Sequence, residues 1–290
     1  MDLTELFCDV DDFVKLHSNN RIDCSKGKRN YSKANRLSDS EIMTIVIAYH
    51  QSGYKNFKAF YWEYVAKYLK YQFPDLVSYN RFVELMSTVV ALLTNYLISK
   101  FGRNTGVSYI DSTPIQVCKS KRMSRNKVFK NLAAQAKSTI GWFFGFKVHL
   151  IINECGELLS VNFSKANVDD RKPVLTMAKN IIGKLFGDKG YISKELTDQL
   201  LNNGLQLITN VKKNMQNKLL PMLDKILLRK RSIIETVNDQ LKNISNIEHS
   251  RHRSPKNFLI NLLCALIAYA IKPKKPCITG INRKNLIMVD

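Results

Sequence analysis

Apolar residues recur at helical spacing through the first hundred residues of the chain. Residues 38–41, Ser-Asp-Ser-Glu, form a capping-box pattern in front of an apolar series that begins at Ile42, and such a pattern marks a helix start. An aromatic helical pattern covers residues 57–71 until Pro74 interrupts it, and another long helix is predicted from residue 78 to residue 98. The pattern therefore predicts an all-helical domain over residues 1–100.

Residues 103–272 switch to alternating strand-like and helical patterns. A short apolar run leads into Asp111, and Pro114 is expected to stop that strand. A hairpin follows, with strands at 142–152 and 158–163 and a turn at 153–156. Helix is then predicted at 167–182, strand at 184–188, helix at 193–203 and strand at 205–211, before further long helices. This order predicts an α/β fold in which helices cover a central mixed sheet.

Three carboxylates occupy informative positions in this pattern. Asp111 and Asp188 each end a strand-like run, and Glu235 lies in a basic helical segment. One face of that segment is apolar. The adjoining face collects polar residues, because offsets of four, seven and eleven residues return close to the same helical angle; they are Arg231, Glu235, Asn238 and Lys242.

Divalent metal chemistry explains why carboxylates would be brought together in this way. Mg²⁺ prefers hard oxygen ligands and is usually held by a few carboxylates together with substrate phosphates. Arg231 and Lys242 would keep the acids from repelling a phosphodiester and could contact its backbone. Each acid also has an ordinary explanation: a strand-terminal Asp is commonly a turn or cap residue, and a Glu among cations is commonly a solvated ion-pair partner.

The motifs resemble those of the DDE transposases of bacterial insertion sequences, whose catalytic core has an RNase H-like fold. The matching segments are Tyr-Ile-Asp-Ser-Thr-Pro at 109–114, Gly-Phe-Lys-Val-His-Leu at 145–150, Ala-Asn-Val-Asp-Asp at 166–170 and Gly-Asp-Lys-Gly-Tyr at 187–191. The spacing of Arg231, Glu235 and Lys242 resembles the Tyr-Arg-Glu-Lys signature of one branch, although Leu228 stands where that signature has tyrosine. The resemblance covers roughly residues 100–270 and is greatest to the nine-eighty-two insertion-sequence group.

The resemblance implies a function, a cofactor and partners. Asp111, Asp188 and Glu235 would be the catalytic, metal-binding triad, holding two Mg²⁺ ions for which Mn²⁺ can substitute. The enzyme would cut double-stranded DNA at the terminal repeats of its element and join the freed 3′ ends to target DNA, acting as a homodimer on DNA. Residues 1–100 would be a helical domain that binds DNA ends, 101–272 the RNase H-like catalytic domain and 273–290 a basic tail.

Charge supports a nucleic-acid partner independently of the motifs. The chain carries 45 Lys and Arg against 24 Asp and Glu, a net charge of +21, which favours polyanions through counterion release. Biased base composition in the source genome would be an alternative cause of this lysine-rich usage. Besides Arg231 and Lys242, the candidate DNA contacts are Lys121, Arg122 and Arg125 in a basic loop, Lys189 after the second acid, and Lys147 and His149 on one side of a hairpin strand.

The basic and aromatic residues of the N-terminal segment allow two interpretations. Its cations precede the first firm helix, and its aromatic stripe could either bind DNA or pack in the core; these residues are Lys26, Lys28, Arg29, Lys33, Arg36, Tyr61, Trp62, Tyr64, Tyr68 and Tyr71. For His149 a hydrogen-bonded structural role is the alternative to a substrate contact.

Other classes of protein fit the sequence less well. The six cysteines show no zinc-type spacing or disulfide framework, and the longest apolar stretch, residues 258–271, is too short to cross a bilayer. We therefore expect reduced thiols and no membrane role. The first residues lack the basic start and apolar run of a secretory signal, so we also expect a cytoplasmic, nucleoid-associated protein. Three alternatives to a transposase stay open: an RNase H-like nuclease without strand transfer, a tyrosine recombinase using a residue such as Tyr191, and an inactive DNA-binding relative.

Overall fold

The computed structural model describes residues 2–18, 36–138, 141–210, 220–248 and 252–278. The chain divides into two compact units. The first combines Met1–Lys100 with Leu241–Pro273, and the second combines Phe101–Gln240 with Lys274–Asp290. The sequence placed the boundary at residue 100, and it assigned the segment around residues 241–272 to the catalytic domain. In the structure that segment belongs with the N-terminal helices.

The first unit is helical over the residues described. Ser38 caps α2 as predicted: its side chain accepts a hydrogen bond from the Glu41 N–H, and the Glu41 carboxylate accepts one from the Ser38 N–H. The helices are α1 (Leu3–Ser18), α2 (Asp39–Gln51), α3 (Phe57–Ala59), a π-helix (Phe60–Val65), α4 (Ala66–Tyr68), α5 (Tyr79–Met86), a 3₁₀ turn (Ser87–Val89), α6 (Val90–Ser99) and α11 (Pro255–Ala270).

Helix α11 explains why the C-terminal segment joins this unit. It packs against α2 and α6, and nearly all of its residues from Phe258 to Ala270 are buried. An apolar helix of this kind needs cover on every side, which the N-terminal helices supply. The helical stretch Tyr79–Ser99 is long and apolar enough to cross a membrane, but part of it, including Phe82 and Leu93, is fully buried in this unit.

The aromatic stripe of the first unit has both buried and exposed members. Tyr61 is buried and its hydroxyl donates to the Val77 carbonyl, so this ring has a packing role. The stripe's other rings are exposed: Trp62, Tyr64, Tyr68 and Tyr71. Of the predicted basic cluster, Lys26, Lys28, Arg29 and Lys33 lie outside the described residues.

The second unit is built on a six-stranded mixed sheet. Strand order is β2-β3-β1-β5-β6. Strand β4 also pairs with β3, along the part of β3 that follows its pairing with β2. The β1–β3 and β3–β4 pairs are antiparallel, whereas β1–β5 and β5–β6 are parallel. The strands are β1 (Val107–Lys119), β2 (Ala134–Ser138), β3 (Gly141–Asn153), β4 (Leu158–Lys165), β5 (Gly183–Gly187) and β6 (Leu205–Thr209). This arrangement agrees with the RNase H-like α/β fold and the helical N-terminal region expected from the sequence.

Helices complete the second unit. They are a 3₁₀ helix (Ser120–Arg125), α7 (Val174–Met177), a 3₁₀ turn (Lys189–Tyr191), α8 (Lys194–Asn202), α9 (Met222–Arg229) and α10 (Ser232–Asn243). The end of α10, from Leu241 on, is assigned to the first unit. Ile110 and Ile151 on one face of the sheet share a buried cluster with α7 and α8. On the opposite face, the Tyr109 hydroxyl donates to the Leu227 carbonyl of α9 at 3.4 Å. Successive β1 side chains therefore point toward different helices.

The prediction that Pro114 stops the first strand was wrong. β1 continues to Lys119, and Pro114 pairs with Lys147 of β3. Only the first part of β1 is paired on both sides, because the parallel ladder with β5 ends at the Tyr109–Phe186 pair. Beyond that point β1 is an edge strand in the described structure, and an edge tolerates the missing N–H of a proline.

Two further predictions needed correction. The helix expected at 167–182 contains only four helical residues, Val174–Met177. Asp169 explains its late start, because its carboxylate accepts from the Arg171 N–H at 2.9 Å and its carbonyl accepts from the Lys172 N–H, and such local turns compete with helix. The basic loop at 119–127 is largely a 3₁₀ helix, and strand β2 was not predicted.

The remaining predicted elements are confirmed to within a few residues. The β3–β4 hairpin turns at Gly156, which has φ +68, and the Asn153 carboxamide oxygen accepts from the Cys155 and Glu157 N–H groups. Helix α8 is capped by Ser193 and followed by Gly204. Strand β6 ends at Thr209, and residue 211 lies outside the described residues.

Candidate active site

Asp111 lies on β1 just after the point where β1 stops pairing with β5. Its side chain is 23% exposed. Burial raises the pKa of Asp111 to about 6. Arg231 and the Ser112 N–H oppose this increase, whereas the charges of Glu235 and Asp188 add to it. Both of the other acids predicted for the site therefore act electrostatically on Asp111.

Asp188 lies at the end of the neighbouring strand. It directly follows β5 and precedes the 3₁₀ turn Lys189–Tyr191, where its carbonyl accepts from the Tyr191 N–H at 3.0 Å. Its carboxylate makes no capping hydrogen bond and the residue is exposed. The prediction that this acid stands at a strand end is confirmed.

Helix α10 brings the third acid beside Asp111. The helix buries Ile233, Ile234, Val237 and Leu241, as its apolar spacing predicted, whereas Ile244, which continues that spacing, follows the end of the helix and is exposed. On the adjoining face, Arg231 Nη2 contacts Glu235 Oε1 at 2.7 Å and Arg231 Nη1 lies 4.0 Å from Asp111 Oδ1. Asn238 Nδ2 donates to Asp111 Oδ2 at 3.0 Å. The buried stripe therefore fixes which helical face meets the sheet.

The donor set fits a divalent cation chemically. Carboxylate and amide oxygens are the ligands that Mg²⁺ accepts. Burial is the main cause of the raised pKa of Asp111, and the negative charges of Glu235 and Asp188, which add to it, are charges that a cation would offset. The carboxamide oxygen of Asn238 is buried without a hydrogen-bond partner in the described structure. Across the described residues, however, no three His, Cys, Asp or Glu side chains are close enough to form a metal site, and Arg231 pairs with Glu235 instead.

A second polar cluster lies on the other face of the same strands. Lys147 Nζ contacts Asp170 Oδ1 at 2.8 Å and donates to the Val168 carbonyl at 3.0 Å. Lys147 and His149 share one side of β3, as predicted, opposite Pro114 and Ser112 of β1. Asp170 belongs to a motif that carried the family resemblance, but its partner could not be inferred from the sequence.

His149 occupies the interior of this cluster. Its side chain has no exposed surface, its Nε2 lies 2.7 Å from Ser164 Oγ and its Nδ1 lies 4.0 Å from Asp170 Oδ1. Burial lowers the pKa of His149, while Asp170 raises it. These contacts favour the structural role over a direct DNA contact, because a fully buried imidazole cannot reach the phosphate backbone.

Tyr191 is also buried, and it packs in the same cluster as Ile110 and Ile151. Burial raises the pKa of its hydroxyl, and the charges of Asp111 and Asp170 raise it further. A phenol in these surroundings is held in its protonated form, which is the weaker nucleophile. This environment disfavours the tyrosine-recombinase alternative.

The remaining candidate DNA contacts are cations that are either paired with an acid or exposed on the surface. Lys242 lies near the end of α10, seven residues after Glu235, and its ammonium pairs with Glu248 at 2.9 Å. The side chain of Leu228, which stands where the branch signature has tyrosine, is buried. Four cations are exposed: Lys121, Arg122 and Arg125 on the 3₁₀ helix after β1, and Lys189 beside Asp188.

The elevated pKa of Asp111 has a consequence for folding. The group titrates at about 6 in the folded protein against an ordinary 3.8, so the folded state binds the proton more tightly and its stability falls as pH rises from about 4 to about 6. Without metal, Asp111→Asn should therefore be more stable than the wild type at pH 7, by roughly 1–3 kcal/mol, and should lose that advantage near pH 4. Urea unfolding at both pH values measures the difference; a constant difference would contradict this prediction.

Comparison with known proteins agrees with this geometry. A family model described as "Transposase DDE domain" matches residues 101–255, more than half of the chain and the segment that contains the sheet, Asp111, Asp188 and Glu235. No curated protein matches the chain. On the strength of the family match, the chain belongs to the DDE transposase family.

Proposed function

We propose that this transposase cuts DNA at the ends of its mobile element and joins the released 3′ ends to target DNA, using Asp111, Asp188 and Glu235 as catalytic carboxylates. Family membership already implies a DNA-binding enzyme of the nuclease and transposase class, in a family that generally uses divalent metal ions. One observation supports the assignment of these three acids to a common site: the charges of Asp188, Glu235 and Arg231 all act on the Asp111 carboxyl group.

Each carboxylate has a distinct support in the protein. Asp111 belongs to the central strand and is held by the Asn238 amide; Asp188 follows the adjacent strand; Glu235 is held on α10 by Arg231. A pair of bound Mg²⁺ ions, or Mn²⁺ in their place, would supply positive charge that stabilises the entering and leaving oxygens at phosphorus. Arg231 can exchange Glu235 for a phosphate oxygen when DNA arrives, because guanidinium binds both groups in the same geometry.

The proposed chemistry consists of two exchanges at phosphorus. In the first, the oxygen of water bonds to phosphorus at the element end, and the 3′ oxygen leaves and takes up a proton. In the second, that 3′-hydroxyl loses its proton as its oxygen bonds to a target phosphorus, and the target 3′ oxygen leaves and takes up a proton. Each step replaces one phosphorus–oxygen bond by another, so no external energy source or covalent protein–DNA intermediate is required.

The exposed cations give a candidate path for the DNA backbone. We assign phosphate contacts to Lys121, Arg122, Arg125 and Lys189, which are exposed, and to Arg231 after it releases Glu235. Lys147 and Lys242 are engaged by Asp170 and Glu248, and each would contact DNA only by exchanging that carboxylate for a phosphate. His149 is fully buried, so it would influence DNA binding only indirectly, through its contacts with Ser164 and Asp170.

Two further assignments complete the proposal. The spacing of Arg231, Glu235 and Lys242 supports the Tyr-Arg-Glu-Lys branch, from which Leu228 departs. Within that branch we assign the protein, by resemblance, to the nine-eighty-two insertion-sequence group. Because transposition must bring two element ends together, we propose that the protein acts as a homodimer on DNA.

Strand transfer is the activity that separates this proposal from a plain nuclease. Purified protein would be incubated with Mg²⁺ or Mn²⁺, a supercoiled target plasmid and element ends already cut to expose their 3′-hydroxyls. We expect covalent joining of these 3′ ends to the plasmid and no joining when the ends carry a 3′-deoxy terminus, because that terminus lacks the attacking oxygen. Cleavage of intact ends without joining of pre-cut ends would establish a nuclease, and binding without either reaction would establish an inactive relative.

A further inference from the structure

Asn238 combines a satisfied donor with an unsatisfied acceptor. It is 92% buried, because only 8% of its surface is exposed. Its Nδ2 donates to Asp111 Oδ2 at 3.0 Å, while its Oδ1 is buried without a hydrogen-bond partner in the described structure. A buried polar atom left without a partner costs about 1–3 kcal/mol. Such an atom calls for a reason beyond packing.

The orientation of this carboxamide follows from its neighbour. Turning the group over would place Oδ1 against the Asp111 carboxylate, acceptor against acceptor, and would leave the NH₂ group unpaired. The oxygen is therefore the atom left free. Because both atoms are bonded to the same carbon, this free oxygen lies close to the Asp111 carboxylate.

Packing alone does not require asparagine at this position. Leucine has nearly the same shape, forms helix more readily and would bring no polar atom of its own into this buried position. Asn238 also lies on the face of α10 that carries Arg231 and Glu235, since offsets of seven and three residues keep side chains on one side of a helix. Both its hydrogen bond to Asp111 and its position on the helix thus connect Asn238 with the acids and not with the apolar core.

We propose that Asn238 is a positioning residue of the active site with two roles. Its N–H holds the Asp111 carboxylate in a fixed orientation, and its Oδ1 accepts a hydrogen bond from the water shell of the divalent cation that Asp111 binds. Amide oxygens suit this second role because Mg²⁺ keeps several of its waters, and those waters need acceptors. This inference rests on the proposed function, in which Asp111 is a cation ligand.

Binding of Mn²⁺ alone tests the proposal without relying on activity. Free Mn²⁺ would be titrated by electron paramagnetic resonance against the full chain and its variants. Asn238→Leu should weaken Mn²⁺ binding by roughly 10-fold to 100-fold, as loss of an outer hydrogen-bond partner does at other metal sites. Asn243→Leu, at an exposed asparagine at the end of the same helix, is the matched control and should bind Mn²⁺ like the wild type.

A second variant separates the two roles of the amide. Asn238→Asp keeps an oxygen at the position of Oδ1 but removes the N–H that holds Asp111. We expect it to bind Mn²⁺ at least as tightly as the wild type, because it adds negative charge, yet to cleave DNA at least 10-fold more slowly. This variant also gives a test if Asn238→Leu does not fold.

The outcomes distinguish the role of Asn238 from the role of Asp111 as a cation ligand, on which it depends. Wild-type Mn²⁺ affinity in folded Asn238→Leu, or wild-type cleavage by Asn238→Asp, would overturn the role of Asn238. Unchanged Mn²⁺ affinity in Asp111→Asn would instead contradict the assignment of Asp111 as a cation ligand. If Asp111→Asn no longer binds Mn²⁺ and Asn238→Leu binds it normally, Asp111 stands as a cation ligand and only the role of Asn238 is overturned.

Discussion

Replacing Asp111 by asparagine should reduce DNA strand cleavage by roughly 10³-fold or more, because the substitution removes the negative charge that would bind the catalytic cation. The carboxamide of asparagine has almost the same shape as the carboxylate and can still accept a hydrogen bond from the Asn238 amide. The fold and the binding of element ends should therefore persist. Cleavage of labelled terminal-repeat DNA in Mg²⁺, together with a gel-shift assay of the same DNA, measures both effects.

The same loss is expected for Asp188→Asn and Glu235→Gln, since all three acids would hold the cation. Asp198→Asn and Glu195→Gln are matched controls, because these acids are exposed on α8 and have no assigned role in catalysis. Normal cutting by any triad variant would remove that acid from the mechanism. Equal loss in a control would show that the assay reports a general effect of charge.

The largest expected loss of stability comes from Gly183→Ala at the start of β5. A Cβ at this position would lie 2.4 Å from the Gly106 carbonyl oxygen and 2.7 Å from the Gly106 Cα, and the residue has φ +98. Backbone cannot move as a flexible side chain can, because the same Gly106 carbonyl accepts from the Lys184 N–H at 2.8 Å. We expect a loss of about 3 kcal/mol or more, which lowers the melting temperature by roughly 6–12 °C.

Gly190→Ala provides the control for this substitution. Nothing lies within 4 Å of a Cβ at Gly190, so it should melt within about 2 °C of the wild type. Thermal unfolding followed by circular dichroism compares the variants. A Gly183→Ala protein that melts like the wild type would show that β1 and β5 can separate at this point without cost.

The periodic elements could be predicted from the sequence because local patterns determine them. The capping box at Ser38 and the turn at Gly156 each depend on residues only a few positions apart. The positions of Asp111 and Asp188 were inferred for the same reason, since each follows an apolar run. Strand β1 was predicted too short because its continuation to Lys119 depends on pairing with β3, and local sequence does not contain that information.

The contacts of the site were harder to infer because they join distant parts of the chain. The Asn238–Asp111 hydrogen bond spans 127 positions, and the Lys147–Asp170 contact spans 23. Helical spacing placed Asn238 on the same face as Glu235, but it could not indicate that one amide atom would be bonded and the other left free. Likewise, alternation put Lys147 and His149 on one side of β3, whereas the depth of burial of His149 depends on β4 and the loop before α7.

Among the described residues, nothing pairs with the outer edge of β1 beyond Tyr109, and such an edge is a hazard that Pro114 reduces. A strand with unpaired N–H and carbonyl groups is a template on which another polypeptide can add a strand, and this is a common route to aggregation. A proline offers no donor there, so it interrupts the row of groups that an incoming chain would need. Under the proposed function this edge would stay uncovered for the DNA substrate, and Pro114 would keep it from becoming a surface on which copies of the protein polymerise.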